Sequence, residues 1–216
     1  MIRSTALASL RAAFTLFAFA LAGTALISYT FEKTRGIIEA EEQQAKLALI
    51  RQVLPAGIYD NDLLADSRSV PPSELLGTGQ PTTAYIARRA GEPTAVVLEA
   101  VAPDGYHGAI RMLVGILRNG EVAGVRVIAH DETPGIGDYI EAGKSRWILS
   151  FRGEELSPGN TEQWKVRKDG GIFDYVAGAT ASPRAVVKAV KNALTYFERN
   201  QQALFAKMQE RHLRAP

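Results

Sequence analysis

AIRMLVGILRNGEVAGVRVIA, residues 109–129, reads as two strands around a turn and decides the fold. Val, Ile, Leu and Met fill both arms, Ala109 to Arg118 and Glu121 to Ala129, with Asn119-Gly120 between them. Asn-Gly accepts the positive φ angles of a type I′ turn, whose twist suits antiparallel strands. In the second arm Val122 and Gly124 alternate with Ala123 and Val125, so neither face is cleanly apolar. Antiparallel pairing is the expectation. Outward on the N-terminal side, Thr82 to Arg89 and Thr94 to Val101 predict two more strands joined around Ala90-Gly91-Glu92-Pro93. Gly57 to Pro72 reads as a loop, with Asp60-Asn61-Asp62 and Pro71-Pro72.

On the C-terminal side, His130 to Tyr139 is a loop rich in Thr, Pro and Gly. A helix from about Gly143 is expected to cover Trp147 and Phe151, and Trp164 to Arg167 reads as a short strand at best. A final helix opens with Ser182 as N-cap and Pro183 at its first position. Val186, Ala189, Val190, Ala193, Leu194 and Phe197 then share one face and predict core packing. The expected class is α+β, an antiparallel sheet with flanking helices.

Farther out, residues 12–31 (AAFTLFAFALAGTALISYTF) carry no formal charge. About twenty residues at ~1.5 Å rise span the roughly 30 Å hydrocarbon layer. Arg3 and Arg11 precede the run and Glu32 is the first charge after it, which places residues 1–11 in the cytoplasm and exports the rest. Ala20-Leu21-Ala22 resembles a signal-peptide cleavage site. The apolar run continues through Leu26, Ile27, Tyr29 and Phe31, an extension a signal peptide does not need, so a retained anchor is expected. From Glu32 a charged helix with Ile37, Ile38, Leu47, Ile50 and Val53 runs to Leu54, where Pro55 ends it. The expected organisation is tail 1–11, membrane helix 12–31, juxtamembrane helix and loop 32–72, and an exported domain 73–216.

In 216 residues, 25 basic and 23 acidic side chains nearly cancel, which gives nucleic acid no basic face. The absence of cysteine excludes disulfides, thiolate-held iron–sulfur clusters and CxxCH haem attachment. His107, His130 and His212 lie far apart, and no metal site is expected.

Chemistry concentrates in Asp174-Tyr175-Val176-Ala177-Gly178-Ala179-Thr180-Ala181-Ser182-Pro183. Gly178 and Ala179 let the backbone approach something bulky. Thr180 presents a hydroxyl just before a helix N-terminus, where unpaired N–H groups favour a phosphate. The residues alone favour a strand–turn–helix junction in which Gly178 permits the turn and Thr180 or Ser182 merely caps the helix, the commonest use of Thr and Ser there.

Asp174 to Thr180 resembles the Dxx(S/T)GAT flavinylation motif of the FMN-binding domain family, which includes the G subunit of the Rnf electron-transport complex and the C subunit of the sodium-pumping NADH:quinone reductase. The match departs at Ala177, where the family has Ser or Thr and this chain loses a hydroxyl. His130-Asp131-Glu132-Thr133-Pro134-Gly135-Ile136-Gly137 is similar to the family's HxETPGLG loop. Asp104-Gly105-Tyr106-His107-Gly108 with Met112-Leu113-Val114-Gly115-Ile116 is similar to its GYxG and LVGI segments. Val53-Leu54-Pro55 followed by Tyr59-Asp60-Asn61-Asp62 resembles the Rnf G subunit in particular.

The resemblance implies FMN held on Thr180 by a phosphoester, delivered from FAD by a separate magnesium-dependent flavin transferase. It further implies cofactor contacts from Asp174, Gly178, Ala179, Ser182, Glu132, Thr133, Pro134, Gly135, Ile136 and Gly137. From the residues themselves, the Pro134 turn with its glycines offers exposed backbone amides and little bulk, which fits a surface for a flat ring edge and equally an ordinary tight turn. The implied role is an electron relay in the inner membrane, partnered by the other membrane subunits of an Rnf-type complex, with no catalytic residue and no substrate turnover of its own. A tether keeps such a cofactor at a local concentration independent of the free pool. Two alternatives stand beside it: the homologous quinone-reductase subunit, and a cofactor-free anchored module for binding or assembly.

Overall fold

A computed structural model describes the backbone of residues 2–206 and the side chains of 13–36, 41 and 43–206. His212, the end of the expected domain at 207–216, and the side chains of Arg3, Arg11, Ile37 and Ile38 lie outside the described residues. The chain forms two compact units divided between Lys46 and Leu47. One helix, α1 (Ile2–Val53), supplies the whole of the first unit. Its segment Ala13–Gly36 is long and apolar enough to cross a membrane. Phe14, Phe19 and Ile27 are more than 70 % exposed there, an apolar belt with no protein cover that hydrocarbon would bury.

The second unit is built on a five-stranded antiparallel meander of β1 (Ser67–Val70), β2 (Thr82–Arg89), β3 (Glu92–Ala102), β4 (Ile110–Leu117) and β5 (Val122–Ala129), in that spatial order. β3 and β4 pair without interruption from Ala95↔Leu117 to Ala102↔Ile110. The register of β5 slips twice, leaving Ala123 and Ile128 without opposite partners. These bulges explain the broken alternation. Val122 and Val125, three residues apart, both reach the same core because one residue between them is extra.

Helix α2 (Ala181–Phe205) lies on one face, burying Val186, Val190, Leu194 and Phe197 against Ile86, Val96, Leu98 and Met112. Each such side chain contributes roughly 1.5–3 kcal/mol by burial. Helix propensities differ by at most ~0.7 kcal/mol between ordinary residues, so the apolar stripe fixes this helix. Ile50, Val53, Leu54 and Leu63 cover the other face over Tyr85, Val97 and Leu113. That contact needs Gly115 and Gly124, which sit opposite each other in register. A Cβ on Gly115 would lie 2.5 Å from the Val53 carbonyl oxygen, and one on Gly124 3.0 Å from it. The two glycines are a seat for the end of α1.

Several expectations are corrected. The 57–72 segment contains β1, paired with β2 through Ser67↔Tyr85 to Val70↔Thr82. No helix starts at Gly143; Trp147–Phe151 is a single 3-10 turn. Trp164 to Arg167 is not a strand but leads into a 3-10 turn at Arg167–Asp169, with one bridge from Val166 to Phe173. The hairpin turn is not type I′. Gly120 has φ +95° while Asn119 does not reach positive φ, and Gly120 N–H donates to the Leu117 carbonyl (2.9 Å). Arg118, Asn119 and Gly120 thus form a three-residue loop with glycine in its left-handed position.

Candidate functional site

The register Ala102↔Ile110 and Arg111↔Ala129 brings the β3–β4 loop and the segment after β5 to one end of the sheet. The start of α2 joins them there. Between the three lies an open cleft of about 430 Å³, within the range of small-molecule sites. Tyr106, Thr133, Ile136, Thr180, Lys168 and Arg184 are among its lining residues.

Thr180 is the residue before α2, with φ −91° and ψ −21°, and its side chain makes no capping bond. It is only 8 % exposed yet lines the cleft, so its hydroxyl is confined there without a structural task. The capping reading fails for Ser182 as well. Ser182 is the second residue of α2, not its cap, and its hydroxyl donates to Glu132. Pro183, the third residue, has no N–H, and the Arg184 N–H donates to the Thr180 carbonyl (3.2 Å). The backbone N–H groups of Ala181 and Ser182 remain as open donors at the positive end of the helix.

The approach to Thr180 is a tight turn, in which Ala179 N–H donates to the Val176 carbonyl (3.0 Å) and Gly178 has φ +88°. Positive φ at the third position is the type II signature. A Cβ on Gly178 would meet nothing within 4 Å, so backbone conformation, not space, calls for glycine. Ala177 occupies the exposed second position and does not line the cleft. Tyr139 braces the turn: its hydroxyl donates to the Ala179 carbonyl (3.1 Å) and accepts the Val176 N–H (3.2 Å). Burial pushes the Tyr139 phenol above its ordinary range, and the Val176 N–H partly offsets this. Beneath, Trp147 Nε1 donates to the Asp174 carbonyl (2.7 Å), and Phe173 stacks on Phe151 at 4.5 Å between ring centres.

Glu132 is buried between three segments. Its carboxylate accepts the Ser182 hydroxyl and the His107 N–H (3.2 Å). A Cβ on Gly105 would run into the Gly108 carbonyl oxygen and lie 2.7 Å from one carboxylate oxygen, and a Cβ on Gly137 would lie 3.0 Å from the other. Both glycines make room for this group. The amides of the Pro134 turn are not exposed as expected: Gly135 N–H donates to Asp138 Oδ1 (2.8 Å), and Ile136 and Gly137 N–H both donate to the Thr133 carbonyl (3.1 and 2.9 Å). The turn therefore offers shape rather than donors, with Ile136 55 % exposed beside the cleft.

Of the sequence-derived site residues, Glu132, Thr133, Ile136, Gly137, Gly178, Ala179, Thr180 and Ser182 line the cleft together. Pro134, Gly135 and Asp174 do not; Asp174 pairs with Arg167 at 3.0 Å, facing solvent. His130 is also outside, held between the Glu132 N–H (3.0 Å) and Glu141 (2.8 Å). Sequence reading missed Tyr106, Lys168 and Arg184 as lining residues. Arg184 makes two 2.5 Å bonds to Asp169, which hold that carboxyl below and the guanidinium above their usual ranges. Only the helical offset of Arg184, four residues after Thr180, could have signalled it; Lys168 carried no sequence signal.

Beside the Thr180 hydroxyl and the amides that open α2, Lys168 is a cation with no acidic partner among the described residues, while Arg184 is already paired with Asp169. An apolar ring is matched by Tyr106 and Ile136. The residues fit a phosphorylated aromatic cofactor. The FMN-binding domain family model matches residues 105–195, and the RnfG N-terminal region model matches residues 1–53. The chain is 48 % identical to the G subunit of the ion-translocating oxidoreductase complex of Vibrio atlanticus (strain LGP32), over 87 % of this chain and 90 % of that protein. Identity is 47 % with the like-named protein of Shewanella baltica (strain OS223), covering 89 % and 91 %, and 46 % with that of Pseudomonas aeruginosa (strain UCBPP-PA14), covering 91 % and 92 %.

Proposed function

Since the chain belongs to the family of G subunits of ion-translocating oxidoreductase complexes and contains the FMN-binding domain, we propose that it carries its FMN as a phosphoester on Thr180 and holds it outside the cytoplasm. The protein is an electron-transfer subunit of such a complex, anchored in the membrane by α1 and associated there with the other subunits. FMN supplies the redox chemistry, accepting and passing on electrons; the residues of this chain supply position and field.

The observation that carries the covalent reading is the Thr180 hydroxyl, confined in the cleft and bound to no backbone group. In the attachment step the Thr180 oxygen bonds to the FMN phosphorus of FAD. The pyrophosphate bond breaks, AMP departs, and the hydroxyl proton leaves with the base of a flavin transferase. The Ala181 and Ser182 amides and Lys168, which line the cleft, would hold the remaining phosphate charge. Arg184 adds to that field from the first turn of α2, already oriented by Asp169. Tyr106 and Ile136 flank the space left for the ring and offer it apolar surface. Orientation follows from Arg3 and Arg11 ahead of the apolar run, which keep the short tail in the cytoplasm and the domain in the periplasm.

The test is the full chain produced with and without a flavin transferase, run on a denaturing gel and viewed under ultraviolet light. A fluorescent band that requires the transferase and vanishes in Thr180→Val supports the reading. A band that survives Thr180→Val removes Thr180 as the acceptor.

A further inference from the structure

β5 is an edge strand. At its start Val122 exchanges hydrogen bonds with the segment after Phe151: Val122 N–H donates to the Glu154 carbonyl (2.8 Å) and Gly153 N–H to the Val122 carbonyl (2.9 Å). Beyond it Gly124 and Val125 are buried beside Ile148 and Leu149, and from Arg126 to Ala129 no backbone group outside β4 bonds this strand among the described residues. Four residues at ~3.3 Å each leave an uncovered edge of roughly 13 Å. Two hollows of about 190 and 350 Å³ run along this stretch and share Gln52 and Arg126. Leu54 and the 40 % exposed Leu149 line the first with Arg152.

The charges of this groove are unbalanced. Among the described residues Arg126 bonds only the Gln52 side chain (3.2 Å) and the Val125 carbonyl (2.7 Å). Neither Arg126 nor Arg152 has an acidic partner among the described residues, and burial together with the charge of Arg152 lowers the Arg126 pKa. Glu141, the carboxylate in the second hollow, is bound to His130. An arginine on an open edge discourages indiscriminate strand pairing, and two arginines select an acidic newcomer over a basic or neutral one.

We propose that the open edge of β5 beside Arg126 and Arg152 receives an extended acidic segment from another subunit of the complex, paired as an added strand. The backbone ladder supplies affinity, and the two guanidinium groups supply register and choice of partner. This rests on membership of the complex and not on the cofactor assignment, so a chain without flavin would still dock.

The test uses the assembled complex purified through a tag on a different subunit. A photo-crosslinking residue replaces Leu149, and Arg152→Glu and Arg126→Glu/Arg152→Glu are compared with the wild type. Crosslinks from position 149 should map to an acidic stretch of a partner subunit. The double variant should be retained roughly tenfold less after a salt wash, with Arg152→Glu intermediate. Unchanged tryptophan fluorescence in Arg152→Glu, whose side chain is exposed, separates loss of docking from loss of folding. Full retention of both variants, or crosslinks only to lipid or to a basic or apolar segment, would overturn the proposal.

Discussion

Gly137→Ala isolates the contact on which the cleft depends. Gly137 has φ −94°, an ordinary value, so alanine brings no backbone strain and the neighbours decide the outcome. The added Cβ would lie 3.0 Å from a Glu132 carboxylate oxygen, 3.0 Å from the Ser182 hydroxyl and 3.2 Å from the Glu132 Cβ. The hydroxyl and carboxylate bond each other, so the methyl group must push that pair apart. A hydrogen bond to a charged group is worth about 1.5–3 kcal/mol. Replacing glycine by alanine returns about 0.4–1 kcal/mol through the unfolded chain. The net loss is then roughly 1–2 kcal/mol. Both tryptophans, Trp147 and Trp164, lie in the flavin domain, so urea unfolding of the detergent-solubilised chain followed by tryptophan emission reads this unit. With a urea slope of ~1–3 kcal/mol/M the midpoint should fall by roughly 0.5–1 M. In a Ser182→Ala background the bond is already gone, and the same substitution should cost almost nothing, a coupling of about 1–2 kcal/mol. Losses that add within ~0.5 kcal/mol, as for distant sites, would show that Glu132 and Ser182 do not hold each other in the cleft.

Tyr139→Phe removes the hydroxyl that bridges Ala179 and Val176, and should cost about 1–2 kcal/mol in the same unfolding experiment. Because burial raises the Tyr139 pKa, the difference from wild type should be constant below about pH 10 and shrink as pH rises through the folded value; a difference that vanishes near neutrality contradicts this. Phe151→Ala opens the ring stack against Phe173 and Trp164 and should cost roughly 3–5 kcal/mol, checked by the same midpoint shift.

The long apolar strands were legible because residue type and spacing alone define them: β2 occupies the expected Thr82 to Arg89, and β4 and β5 begin and end within one residue of the expectation. β1 was not legible. Ser67-Arg68-Ser69-Val70 has one apolar residue, and it is a strand because β2 offers an edge to pair with, a tertiary cause. Trp147 to Phe151 looked helical, yet Gly153 must turn at φ +85° and donate to Val122, so the segment closes after one tight turn. Local signals misplaced the helix cap for a similar reason: Ser182 satisfies a buried carboxylate fifty positions away rather than its own helix. The motif-bearing loops could be named from sequence, but Lys168 reaches the cleft only through the irregular 161–173 segment, which no periodicity describes.

The mass of the intact chain, made alongside a competent flavin transferase and followed by peptide mapping, bears most directly on the flavin tether. One FMN less one water should be added to the polypeptide, and it should map to the peptide holding Thr180. A chain that weighs only its amino acids, or an adduct on a peptide without Thr180, would contradict the tether.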